Sequence, residues 1–221
     1  MNRKPLLIAI AAAAVIALGV IGYLTLGKSA DSALPASGER ANVTLTADDR
    51  TMGDPKAPVT VVEYAAPTCP HCAHFNETVF PKLKVKYIDT GKVFYVFRVF
   101  PLSSVDLAVE ALARCLPTES YFNFIDLLFK NQVTWDPEFQ PLDVHEGILT
   151  VARMAGMGRE QADRCMQDKT QLERASRVGQ DGQTRYQITG TPSFVVNGKL
   201  HGGQYDWESL QKELDAVLKT P

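Results

Sequence analysis

Residues 59–72 read VTVVEYAAPTCPHC, a β-branched run followed within a few residues by two cysteines that flank a proline and a histidine. The run Val59–Tyr64 is typical of a buried parallel strand. A helix is expected to begin around Cys69, because Pro70 suits the first turn of a helix, where its missing N–H costs nothing. The sequence therefore predicts two thiols at the start of a helix that follows a buried strand.

The spacing of these cysteines predicts redox chemistry. Cys69 would lie where unpaired backbone N–H groups and the positive end of the helix dipole favour an anion, and His71 adds a nearby donor. Cys72 lies one turn later, within reach for a disulfide. Two structural cysteines paired by chance are the plain alternative. A zinc ribbon would need a second Cys or His pair at ligand spacing, and a c-type haem motif would need histidine where Ala73 stands.

The rest of the chain predicts an α/β protein. Strands are expected at residues 43–45, 92–100, 193–196 and 199–201, and helices at residues 69–87, 105–116, 121–130, 142–157, 159–167, 169–186 and 205–218. Pro81 predicts a kink in the first helix, and Asn197-Gly198 predicts a hairpin turn with positive φ. A strand, a helix and a second strand imply a parallel pair with a right-handed crossover. This order of strands and helices predicts a thioredoxin fold with an inserted helical domain at about residues 104–186. The fold and its insertion are expected to form one unit over residues 42–221.

The N-terminus predicts a location outside the cytoplasm. Residues 6–27 are uncharged and mostly apolar, and as a helix they would extend roughly 33 Å, enough to cross a bilayer core. Residues 1–27 are therefore interpreted as an uncleaved membrane anchor or a cleaved signal. Arg3 and Lys4 place that end in the cytoplasm. Residues 28–41 form a linker, so the domain is expected in the periplasm, single-pass anchored in the inner (cytoplasmic) membrane or periplasmic and free after cleavage.

Composition narrows the class of partner. The 221 residues are 45% hydrophobic, which is enough for a packed core, and the formal net charge is −2. A near-neutral balance argues against nucleic acid, whose phosphates call for a basic face. Four cysteines suffice for one redox pair and one structural pair.

Three features together resemble the DsbA family of bacterial envelope thiol:disulfide oxidoreductases. They are the Cys-Pro-His-Cys motif, the lead-in at residues 53–59, and the Gly-Thr-Pro sequence at residues 190–192 after the helical insertion. The resemblance covers about residues 43–218. It implies an enzyme that needs no metal or organic cofactor and acts on reduced or unfolded protein clients with free thiols. It also implies a DsbB-like membrane protein as reoxidant.

The resemblance implies a role for each matching residue. Cys69 would be the exposed nucleophile and Cys72 the buried resolving thiol. His71 would stabilise the thiolate, and Pro192 would be a cis-proline facing the active site. Thr191 and Pro70 are the expected contacts to the client strand. Thr191 departs from the valine of enterobacterial oxidases and is shared with isomerase and reductase branches, so the direction of reaction stays open.

Three further residues carry hypotheses with open alternatives. Glu63 in the predicted strand resembles the buried carboxylate of thioredoxin-like proteins, a proton acceptor for Cys72, or it faces solvent at the strand end. Cys115 and Cys165 form a structural disulfide, remain buried free thiols, or make a second redox pair. Some alphaproteobacterial family members carry a second disulfide in this domain, which favours the structural bridge.

The sequence therefore predicts a thiol:disulfide oxidoreductase that introduces disulfides into extracytoplasmic proteins through Cys69 and Cys72. A reductase or isomerase is the first alternative. A non-catalytic metal-binding or chaperone module that uses these cysteines with His71 and His74 is the second.

Overall fold

The computed structural model describes residues 37–40, 43–201 and 206–219. The predicted membrane segment at residues 1–27 and most of the predicted linker lie outside these ranges. Within them, no helix is both long enough and apolar enough to cross a bilayer.

The centre of the domain is a five-stranded mixed sheet with strand order β3-β5-β4-β6-β7, beside a two-stranded β1-β2 ribbon. The strands are β1 (Ser37–Arg40), β2 (Val43–Thr46), β3 (Arg50–Met52), β4 (Val59–Ala65), β5 (Val93–Val99), β6 (Ser193–Val196) and β7 (Lys199–His201). Strands β4 and β5 are parallel, and the other neighbours in the sheet are antiparallel. All residues of β4 and β5 are buried, as expected for strands covered on both faces.

Nine α-helices surround the described sheet. They are α1 (Pro70–Thr78), α2 (Phe80–Leu83), α3 (Ser104–Arg114), α4 (Tyr121–Lys130), α5 (Gln132–Trp135), α6 (Val144–Met154), α7 (Arg159–Met166), α8 (Lys169–Tyr186) and α9 (Trp207–Lys219), with 3₁₀ turns at Thr118–Ser120 and Pro137–Phe139. Helices α3 to α8 form the insertion between β5 and β6. The predicted thioredoxin fold with a helical insertion is confirmed.

Two local predictions need correction. The single kinked helix at residues 69–87 is three segments, because α1 ends at Thr78, α2 contains Pro81, and a π-helical segment spans Lys84–Ile88. Proline lacks the N–H that would continue the helical hydrogen-bond ladder. The short strands β1 and β3 were not predicted. Asn197 and Gly198 have φ of 47° and 84°, as the hairpin turn requires.

A buried arginine in β5, Arg98, joins this strand to residues that precede it in the chain. Arg98 donates Nε and Nη2 hydrogen bonds to both Asp49 carboxylate oxygens, at 2.8 and 2.7 Å. It also donates to the Tyr64 hydroxyl at 3.0 Å and to the Thr44 carbonyl at 2.7 Å. Since Arg98 is 5% exposed, is paired with Asp49 and has a hydrogen bond at each of its three side-chain nitrogens, it serves the packing of this strand rather than the chemistry.

A second buried charge cluster organises the insertion. The Glu110 carboxylate is fully buried and accepts hydrogen bonds from Arg114, Arg174 and the Tyr121 hydroxyl, at 2.8, 2.6 and 2.6 Å. These contacts join α3, α4 and α8. Because a buried carboxylate needs partners, removing both arginines would leave the charge of Glu110 uncompensated inside the insertion.

The insertion also contains a disulfide. Cys115, the residue that ends α3, is bonded to Cys165 in α7, with an S–S distance of 2.03 Å and a Cα–Cα distance of 6.0 Å. The bond closes a loop across most of the insertion and lies apart from Cys69 and Cys72, which are free thiols.

Gly182 of α8 packs against the Tyr64 ring of β4, and we expect Gly182→Ala to destabilise the fold. An added Cβ would lie 2.6 Å from a ring carbon of Tyr64, whose buried ring is held by Arg98. Helix propensity alone would favour alanine by about 1 kcal/mol, but overpacking costs about 1–3 kcal/mol, so urea denaturation should show a net loss. Gln183→Ala, on the exposed side of the same helix, is the control and should show no loss.

We expect the Cys115–Cys165 bond to be present in protein isolated from an oxidising compartment. Alkylation of the unreduced, denatured protein followed by mass measurement should add no label at either residue. Replacing both by alanine should lower the free energy of unfolding by about 2–5 kcal/mol, since the bond closes a long loop. Complete labelling of both cysteines would contradict the bridge.

Candidate active site

Cys69 is the N-cap of α1, and at 4% exposure it is buried rather than exposed as the resemblance implied. Its sulfur accepts a hydrogen bond from the Cys72 backbone N–H at 3.4 Å, and its thiol donates to the Thr191 carbonyl at 3.3 Å. The pKa of Cys69 is lowered to about 6, chiefly by a hydrogen bond from the Cys72 thiol. The side chain of Thr191 and the backbone N–H groups of Cys72 and His71 lower it further. Burial acts in the opposite direction but is outweighed. Cys69 is therefore the group that ionises first.

Cys72 has the opposite character. It lies one turn into α1 and is fully buried. Burial raises its pKa well above the usual thiol range, and its hydrogen bond to Cys69 and the charges of Cys69 and Glu63 raise it further. At neutral pH Cys69 is therefore largely a thiolate, which can attack a disulfide, whereas Cys72 remains a protonated thiol.

The loop before β6 brings a second segment to the sulfurs. The Thr191–Pro192 peptide bond is cis, and Pro192 is buried. Because β6 pairs with β4, with Phe194 opposite Glu63, the residues just before β6 lie beside the turn that leads from β4 to Cys69. The structure thus brings Thr191 and Pro192 to Cys69 although more than 120 residues separate them in the chain.

Glu63 lies beneath the cysteines in β4. Its side chain is 2% exposed, so the solvent-facing alternative is wrong. The Tyr95 hydroxyl donates to its Oε2 at 2.6 Å. Burial raises the pKa of Glu63 to about 8, against the smaller lowering effect of the Tyr95 hydrogen bond. At neutral pH this carboxyl is mostly protonated and can exchange a proton within the buried layer.

A groove of about 420 Å³ opens beside the Cys69 sulfur. Pro70 and His71 are exposed at its edge, and Thr191 forms the facing wall. The backbone N–H of His71 is among the groups that lower the pKa of Cys69. Cys115 and Cys165 do not line this groove. Four of the predicted site residues therefore line one opening: Cys69, Pro70, His71 and Thr191. The other three are buried and do not line it: Glu63, Cys72 and Pro192.

Sequence reasoning missed the insertion residues that approach the site. Asp106 and Gln132 are buried and hydrogen-bond the turn before Cys69. Asp136 lines the groove, is 2% exposed, and burial raises its pKa. The only signal for Asp106 was its position three residues after Ser103, a spacing typical of a capping box, and no pattern pointed to the other two.

No group of three or more His, Cys, Asp or Glu side chains in residues 43–201 and 206–219 is arranged to hold a metal ion. The thiols, the groove and the buried carboxyl can support dithiol–disulfide exchange with protein groups alone.

Comparison with known proteins agrees with this geometry. The thioredoxin family model matches residues 45–216. A Bacillus cereus relative named "Probable disulfide bond formation protein D" is 31% identical over 175 residues, covering 77% of this chain and 79% of the relative. A Rickettsia felis relative named "Putative protein-disulfide oxidoreductase" is 34% identical over 180 residues, covering 80% of this chain. The match spans 63% of that relative, less than two thirds of its length.

Solved structures show the same family. The crystal structure of Wolbachia pipientis alpha-DsbA1 superposes with a TM-score of 0.70 at 32% identity, covering 77% of this chain and 91% of that chain. The structure of oxidised BdbD from Bacillus subtilis superposes with a TM-score of 0.64 at 26% identity, covering 77% of this chain and 93% of that chain. With its unequal thiol pair facing a cis-proline loop, the chain belongs to the DsbA family of thioredoxin-fold protein-disulfide oxidoreductases.

Proposed function

We propose that this chain is a thiol:disulfide oxidase that introduces disulfide bonds into extracytoplasmic client proteins. The observation that carries the proposal is the unequal pair, with the pKa of Cys69 lowered to about 6 and that of Cys72 raised. A stabilised thiolate stabilises the reduced form, so the disulfide form is the better electron acceptor. This favours oxidation of clients over their reduction.

The reaction begins with the Cys69–Cys72 disulfide. A client thiolate attacks the Cys69 sulfur, the bond between the two enzyme sulfurs breaks, and its electron pair passes to Cys72. The product is a mixed disulfide between the client and Cys69. Cys69 is the end that a client can reach, because it lines the groove and is 4% exposed, whereas Cys72 does not line the groove and is fully buried.

The second step releases the client. A second client thiolate attacks the client sulfur of the mixed disulfide, and Cys69 leaves as a thiolate. The low pKa makes Cys69 a good leaving group, since a less basic sulfur departs faster. The client has lost two electrons and two protons. The enzyme pair has gained the two electrons, one proton is on Cys72, and the other goes to solvent while Cys69 remains a thiolate.

We infer that Glu63 donates a proton to Cys72 and accepts it again in the reverse direction. When Cys72 leaves as a thiolate, a protonated Glu63 can supply the proton, and in reoxidation the ionised carboxylate can accept it. A carboxyl whose pKa is about 8 is suited to both directions near neutral pH. The charge of Glu63 raises the pKa of Cys72, which supports this assignment.

Client recognition is assigned to Thr191 and Pro70 on the two sides of the groove. Backbone groups at Thr191 can pair with an extended client segment, a mode of binding that reads no side-chain sequence. Such binding suits an enzyme that serves many reduced or unfolded clients. The Cys115–Cys165 bond is interpreted as a structural disulfide that stabilises the insertion.

The location and the reoxidant complete the proposal. Residues 1–27 would anchor the domain, or direct its export, so that it faces an oxidising compartment. Each turnover leaves two electrons on Cys69 and Cys72, which must pass to an acceptor. A DsbB-like membrane protein is the proposed acceptor, since it belongs to the same envelope system as the family.

We expect Cys72→Ala to raise the pKa of Cys69 more than Cys72→Ser does. The hydrogen bond from the Cys72 side chain is the largest cause of the lowered pKa, and serine keeps a donor that alanine lacks. The measurement is thiolate absorbance near 240 nm against pH. His71→Ser keeps the backbone N–H and serves as a control that should change the pKa less than Cys72→Ala. Equal pKa values in the alanine and serine variants would contradict this assignment.

The function itself is tested with the oxidised protein and a reduced, unfolded client that contains two cysteines. We expect the client to gain a disulfide while Cys69 and Cys72 become thiols. Cys72→Ser, given the same client with its two cysteines already joined in a disulfide, should accumulate a mixed disulfide at Cys69. Cys69→Ser should give neither product. An equilibrium with glutathione that leaves the Cys69–Cys72 pair as strongly oxidised as an ordinary structural disulfide would instead identify a reductase.

A further inference from the structure

The turn that leads from β4 to Cys69 is held by side chains of the helical insertion. Asp106 Oδ1 accepts a hydrogen bond from the Thr68 backbone N–H at 2.8 Å, and Oδ2 accepts one from the Thr68 hydroxyl at 2.9 Å. Gln132 Nε2 donates to the carbonyls of Pro67 and Cys69 at 2.6 and 3.1 Å. Each residue from 67 to 69 therefore has a hydrogen bond to the insertion.

Asp106 makes more hydrogen bonds than the capping of α3 requires. Ser103 and Asp106 form a capping box at the start of α3, in which Asp106 accepts from the Ser103 backbone N–H at 3.0 Å. It also accepts from the Leu102 N–H at 2.9 Å. These contacts are local and are sufficient to cap the helix. The two bonds from Thr68, which lies 38 residues earlier, serve a different segment.

The Asp106 carboxylate makes these hydrogen bonds without contact to solvent. Asp106 is fully buried, and its two oxygens accept only from N–H and O–H donors that converge on them. A carboxylate that is shielded from solvent is stable only when protein groups donate hydrogen bonds to it, and these strong bonds fix the positions of the donors. Because Thr68 precedes Cys69 directly, a fixed Thr68 fixes where the Cys69 sulfur lies between Cys72 and Thr191.

We propose that Asp106 is a positioning residue for Cys69, through which the helical insertion holds the reactive sulfur at the N-cap of α1 and against the Thr191 carbonyl. The proposal rests on the proposed function, because it assigns a role within that reaction. Asp106 does not touch the reacting sulfurs. It acts through Thr68, and Gln132 supports the same turn from α5.

The decisive variant is Asp106→Asn. An asparagine oxygen in place of Oδ2 keeps the bonds of the capping box and the bond from the Thr68 hydroxyl. Its NH₂ group then faces the Thr68 N–H, so donor meets donor and the hold on the Thr68 backbone is lost. The hydrogen bonds that stabilise the Cys69 thiolate should lengthen. We expect the pKa of Cys69 to rise by at least about half a unit. Loss of the Asp106 charge alone would lower that pKa, so the sign separates positioning from electrostatics.

The matched control is Ser103→Ala, which removes the hydroxyl of the capping box and leaves both Thr68 bonds in place. It should lower the free energy of unfolding without changing the pKa of Cys69. Both variants are made in the full chain, reduced, and followed by thiolate absorbance against pH and by urea denaturation. An unchanged or lowered pKa in Asp106→Asn would overturn the proposal and leave Asp106 as a helix cap.

A further variant keeps the test decisive if Asp106→Asn does not fold. Thr68→Val removes the hydroxyl bond to Asp106, preserves shape and charge, and should raise the pKa of Cys69 by a smaller amount. An unchanged pKa in that variant would then overturn the proposal. These titrations need no client, so a chain that transferred no disulfide would refute the proposed function while leaving the positioning result readable.

Discussion

The N-terminal end of α1 is the constraint on which the site depends. A helix leaves its first N–H groups without partners inside the helix, and here the Cys69 sulfur is the cap that accepts one of them. The same sulfur meets the Cys72 thiol and Thr191, so several donors favour its ionised form although it is buried. One sulfur therefore caps the helix and is also the reactive thiol.

The sheet explains why these groups meet. Strand β4 lies between β5 and β6, buried on both faces, and ends directly before the active-site turn. Its parallel neighbour β5 supplies Tyr95, which binds Glu63, and its antiparallel neighbour β6 begins directly after the cis-proline. The two thiols, the Glu63 carboxyl and the cis-proline loop thus all derive their positions from the central strand.

The helical insertion takes part in the site as well as covering the sheet. Asp106 and Gln132 bind the turn before Cys69, and Asp136 lines the groove beside it. The insertion is itself held together by the buried Glu110 cluster and by the Cys115–Cys165 bond. A stable insertion therefore contributes to the geometry of the reactive thiol, although its residues stay out of the chemistry.

The sequence alone determined the fold class and the reactive motif. Val59–Tyr64, the two cysteines and the Gly-Thr-Pro at residues 190–192 are local patterns, because strand periodicity, helix-start chemistry and the restriction imposed by proline act over a few residues. Only the tertiary structure decided that Glu63 is buried and bound by Tyr95 and that Asp106 reaches Thr68. Such contacts join distant segments, and their donors and burial are set by packing that no short stretch of sequence encodes.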